Sequence, residues 1–82
     1  MFETNHHSVT VLDFEKVNAK VCFVKVEGYD AELGREFEGV IKLLNGMPFG
    51  DLIHPTRSNL SSDCRTTVRG YILNKYANGD FE

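Results

Sequence analysis

Two stretches rich in valine, phenylalanine and threonine, Ser8 to Glu15 and Ala19 to Gly28, are separated only by Lys16, Val17 and Asn18. β-Branched and aromatic residues suit a pleated, half-buried surface, and so short a connection makes the strands antiparallel, so this part reads as a β-hairpin. Side chains alternate across a strand. Val9 and Val11 should therefore point one way and Leu12 and Phe14 the other, while Val21 and Phe23 oppose Cys22, Val24 and Val26. Both faces are apolar, and a strand pair with one wet face would alternate apolar with polar, so each face calls for a cover. A two-stranded ribbon is also marginal alone and has two open edges. Assembly into a homodimer or higher homo-oligomer, edge to edge or face to face, is the expected answer to both demands.

The segment from Asp30 to Asn45 carries two periodicities. Leu33, Phe37, Val40, Ile41 and Leu44 fall at helical spacing, Asp30 can cap a start, Glu38 and Lys42 stand four apart, and Asn45-Gly46 makes a stop; this favours a helix. Against it stand Gly34 and Gly39, each costing about 1 kcal/mol relative to alanine inside a helix. Phe37, Gly39, Ile41 and Leu43 also alternate as in a strand. In that alternative Asp30 to Gly34 is a hairpin loop and the segment a third strand. Met47 to Pro55, with two prolines and Gly50, reads as a connection pinned by Met47, Phe49, Leu52 and Ile53.

Ser61-Ser62-Asp63 marks the start of a further helix, since a serine oxygen accepts first-turn amides and an aspartate complements their partial positive charge. It should run to about Tyr76, stop at Asn78-Gly79, and bury Cys64, Val68, Tyr71, Ile72 and Tyr76. Thr66, Thr67, Val68 and Gly70 are weak helix formers, which leaves a strand from Arg65 to Leu73 as an alternative. The expected fold is α+β: one small domain over 1–82, an antiparallel β-hairpin followed by two α-helices, assembled as a homo-oligomer. The alternative is a three-stranded antiparallel meander plus one C-terminal helix. Residues 1–7 and 80–82 read as loose termini.

The net charge of −3 argues against general nucleic-acid binding, which draws on a basic surface to release counterions. That sum hides an asymmetry. Met1 to Val40 holds eight acids and four bases, and Ile41 to Glu82 four acids and five bases. No apolar run approaches the ~18 residues of a membrane span and no basic-then-apolar leader is visible, the pattern of a cytoplasmic protein. Cys22 and Cys64 lie far apart without metal-type spacing, as in a reducing compartment.

Candidate function gathers in the polar stretch from His54 to Arg69, which holds three of the four arginines. Arg65 and Arg69, four apart on the expected helix, with Arg57 just upstream, the hydroxyls of Thr56, Ser58, Ser61 and Ser62, and the polar side chains of Asn59 and His54, would suit an anionic, phosphorylated or nucleotide-like ligand. The first expectation is thus a non-enzymatic binding protein without a cofactor. The alternative is a protein-binding inhibitor or adaptor, of the kind phages use as antagonists, whose acidic half offers Asp13, Glu15, Glu27 and Glu38 to a basic partner. An enzyme would need Cys64 as nucleophile, His54 as base and Asp51 or Asp63 as orienter, but a cysteine heading an apolar stripe is more often a buried hydrophobe. The His6-His7 pair has no ligand nearby in sequence, so no metal is expected there either.

Overall fold

The structure is a computed structural model and describes residues 7–81. Strands β1 (Ser8–Lys16), β2 (Val21–Asp30), β3 (Arg35–Leu44) and β4 (Met47–Phe49) form one antiparallel sheet in the order β1-β2-β3-β4. A 3-10 turn at Asp51–Ile53 follows, and helix α1 spans Ser62–Ala77. The chain is therefore a small α+β domain with one C-terminal helix, closer to the meander alternative and with a fourth strand added.

The expected helix over Asp30 to Asn45 is a strand. Arg35 to Leu44 pairs residue for residue with Asp30 back to Val21. Gly34 takes a positive φ of 68° in the connecting loop, and the Asp30 carboxylate accepts from the loop amides of Glu32 and Leu33 instead of capping a helix. Asn45 and Gly46 have φ of 52° and 82°, the handedness of a two-residue hairpin turn, so they turn β3 into β4 rather than stop a helix. Part of the expected connection after Met47 is accordingly strand.

The register shifts between Val11 and Asp13, leaving Leu12 as an extra residue in β1. That bulge reverses the expected facing of Phe14. Phe14 lies opposite the buried Val24, on the same face as Val9 and Val11, and its ring meets Phe81 edge-on at 5.4 Å. Without the extra residue, Asp13 would face the core.

α1 covers that face. Its stripe of Cys64, Val68 and Ile72 has no exposed surface and joins Val24, Val26, Ile41 and Leu43 in a single core. Each such valine or isoleucine contributes about 1.5–3 kcal/mol through burial. Tyr71 is half-buried, whereas Tyr76 is exposed and lies over the β3–β4 turn at Gly46. Parts of the stretches read as loose are packed: His7 keeps 8% of its side-chain surface and Phe81 is buried. His6 and Glu82 lie outside the described residues.

The other face of the sheet has no cover among the described residues. Phe23, Val40, Leu44, Met47 and Phe49 project from it and remain exposed. Of the two apolar faces read in the hairpin, one is thus buried within the chain and one is open. Among the described residues no helix is long and apolar enough to cross a membrane.

Candidate functional site

The loop from His54 to Ser61 spends most of its polar groups on its own shape. His54 Nδ1 accepts from the Thr56 amide at 3.1 Å and lies 3.2 Å from the Thr56 hydroxyl. The Ser58 hydroxyl donates to the Leu52 carbonyl and accepts from the Leu60 amide. Ser61 caps α1, its hydroxyl accepting from the Cys64 amide at 3.2 Å. That hydroxyl also donates to Asp30 Oδ1 at 3.0 Å, and the Ser61 amide donates to Asp30 Oδ2 at 2.7 Å. The start of α1 therefore already holds an internal carboxylate, with Asp63 in its first turn as a second.

Arg57 lies in this loop and Arg65 and Arg69 lie on α1, with no common partner among the described residues. Arg57 pairs with Asp51 at 3.7 Å, both largely exposed, and Arg65 donates to the Leu60 carbonyl at 3.1 Å. Arg69 and Ser62 are exposed on α1, and Asn59 is exposed with its carbonyl taken by Arg35 at 3.2 Å. Arg35, which sequence reasoning left out, lies with Arg57 along a cleft of about 490 Å³ between β3 and the loop. Glu36, Glu38 and Asp51 line the same cleft, so carboxylates outnumber guanidinium groups among its exposed charges.

The four acids of the alternative reading come together more clearly. Asp13 opposes Lys25, Glu15 opposes Phe23, and Glu27 opposes Glu38, so all four stand on the open face of the sheet. Glu36 joins them from β3. Among the described residues Lys25 and Lys42 offset them there, leaving five acids against two bases, beside the exposed Phe23, Val40 and Phe49. Like charges directly opposite destabilise a sheet, and Glu27 faces Glu38 with only a loose Lys25–Glu38 contact of 3.8 Å as relief. Their common face could not be read from the sequence without the Leu12 bulge, which puts Asp13 and Glu15 there.

A buried polar cluster lies on the opposite side. His7 Nδ1 accepts from the Ala31 amide at 3.0 Å, so Nε2 carries the hydrogen and donates to Asp63 Oδ2 at 2.9 Å. A ring nitrogen of His7, a carboxylate oxygen of Asp30 and the Cys64 sulfur lie within 4.8 Å of one another, a donor set able in principle to take a metal. Their lone pairs are largely committed, since Nδ1 has the Ala31 amide and Asp30 has four donors. The cluster works as a lock between the start of β1, the β2–β3 loop and α1.

Burial, reinforced by the nearby Asp30 and Asp63 carboxylates, pushes the Cys64 thiol up to about 11. The histidine beside it is His7, not the expected His54. With no exposed surface, Cys64 should react with a thiol-specific reagent no faster than the buried Cys22, and both only as the protein unfolds. Rapid labelling of Cys64 in the native protein would instead restore it as a nucleophile.

Comparison with protein-family models, with curated proteins and with solved structures finds no match to this chain.

Proposed function

We propose that this is a non-enzymatic protein-binding module that uses the open face of its sheet to hold a basic partner. The observation that carries the reading is the shared face of Asp13, Glu15, Glu27, Glu36 and Glu38 with the exposed Phe23, Val40 and Phe49. Aromatic side chains at the middle of a patch supply the energy of an interface, and a charged surround steers the approach and selects the partner's sign.

A second copy suits this face less well, because it would set the same excess of acids against itself. Edge pairing between copies is also discouraged. β1 is broken by its bulge, β4 is three residues long with Pro48 at its centre, and the unpaired part of β3 carries Glu36 and Glu38, which a second copy would set against its own. Anion binding through Arg57, Arg65 and Arg69 has less support, since Arg57 and Arg65 are engaged locally and the start of α1 faces its own carboxylates.

The test is differential cross-linking in extract with three proteins: wild type, Phe23→Ala with Glu27→Lys, and Arg65→Ala with Arg69→Ala. A basic protein should be captured by the wild type and by the arginine variant, and lost from the face variant. Its purified form should bind the face variant at least about tenfold more weakly, as loss of a central aromatic predicts. Retained capture by the folded face variant would refute the reading.

A further inference from the structure

Within that reading, we propose that β3 takes an added strand: an extended peptide of the partner, with basic and apolar side chains in alternation, pairs with its free edge along the cleft. β4 pairs only with Lys42 to Leu44, so among the described residues the outer edge of β3 from Arg35 to Val40 carries no strand. The direction of its backbone groups follows from two contacts. The Asn45 amide donates to the Lys20 carbonyl, toward β2, so groups at alternate positions from Leu44 back to Glu36 point away from β2. A Cβ on Gly50 would lie 3.1 Å from the Val40 carbonyl oxygen, which places that carbonyl on the β4 side as well. Glu36 and Glu38 therefore direct both amide and carbonyl, and Val40 its amide, into the plane where a next strand would lie.

The cleft is shaped along this edge. Every residue from Arg35 to Val40 lines one side, and Leu52, Arg57, Asn59 and Leu60 are among those lining the other. A chain of about six residues, at roughly 3.3 Å each, matches the free length. Its side chains would alternate between two environments. Those on the open face meet Glu36 and Glu38 and should be lysine or arginine. Those on the inner side meet Leu52 and the half-buried Phe37, with Arg35 on the same face of β3 to disfavour bases, and should be apolar. Main-chain hydrogen bonds would give affinity and the alternation specificity, as in other strand-addition complexes.

The test uses a capped hexapeptide of alternating lysine and valine with the full-length protein, followed by amide hydrogen exchange and titration. In an antiparallel added strand the lysines would stand opposite Glu36 and Glu38 and direct their amides to β3. Binding should slow exchange at Glu36, Glu38 and Val40. Backbone N-methylation at the lysines should weaken binding about tenfold or more through loss of ladder bonds, while N-methylation at the valines, on the outer edge, should cost much less. No binding at millimolar peptide, unprotected amides in the bound state, or equal loss from the two methylated peptides would each overturn strand addition. If the Phe23→Ala, Glu27→Lys protein still loses its basic partner in that event, the open-face reading stands and only the strand mode falls.

Discussion

Asp30→Asn should lower the stability of the protein by about 2–4 kcal/mol in denaturant titration, with little change in the denaturant slope. Asp30 keeps 1% of its surface and accepts four hydrogen bonds, from the Ser61 amide and hydroxyl and from the amides of Glu32 and Leu33. An asparagine can keep its oxygen at the position that takes three of these. Its NH2 then faces the Ser61 amide across the shortest of the four, 2.7 Å, setting donor against donor in a buried place. The clash falls on a contact that ties the start of α1 to the β2–β3 loop, two elements far apart in the chain.

The pH dependence has a definite sign. Burial by itself raises the Asp30 pKa, but the hydrogen bonds from Ser61, Leu33 and Glu32 outweigh it and hold the carboxyl below its ordinary value. A depressed folded-state pKa adds stability that is fully present above the unfolded value of about 3.9 and is lost as pH falls through the folded one. The gap between wild type and Asp30→Asn should thus be constant near neutrality and narrow in acid. An asparagine variant that unfolds at the same denaturant concentration as wild type would remove Asp30 as the joint between loop and helix.

These joints explain what could and could not be read from the residues. The first hairpin and α1 are local patterns, and Ser61 caps the helix where its sequence implies. The segment over Arg35 to Leu44 satisfies helix and strand spacing with many of the same residues. Its choice is made by ten cross-strand partners in β2, which no window over the segment contains. The Leu12 bulge has no composition signal, yet it decides whether Asp13 or Phe14 enters the core and whether the acids share a face. His7 meets Asp63 across 56 positions and Asp30 meets Ser61 across 31, so a histidine that looks solvated in sequence is part of the lock. Density made the arginines conspicuous. Their local carbonyl and carboxylate partners became visible only in three dimensions.

The glycines offer the steepest contrast. Gly28→Ala should cost about 3 kcal/mol or more, beyond most overpacking, because its Cβ would lie 2.0 Å from the Ser8 carbonyl oxygen and 2.5 Å from the Phe37 ring. The ring could turn; the carbonyl belongs to β1 and could retreat only by parting that strand from β2. Phe37 directly opposes Gly28 and packs over it, so the glycine also makes room for a large cross-strand neighbour. Retreat of β1 at Ser8 would carry His7 with it, away from the Ala31 amide and Asp63. Two other glycines set the scale in the same thermal or denaturant experiment. At Gly39 the new Cβ meets only the Leu52 side chain at 3.3 Å, a contact that can yield, so the cost should be about 1 kcal/mol or less. At Gly70, exposed within α1, nothing lies within 4 Å, and alanine should stabilise by about 0.5–1 kcal/mol through helix propensity. The order Gly28, Gly39, Gly70 follows from close approach, and the change of sign at the last from helix propensity where nothing approaches; a Gly28→Ala protein as stable as wild type would mean that β1 does not lie against β2 at this register.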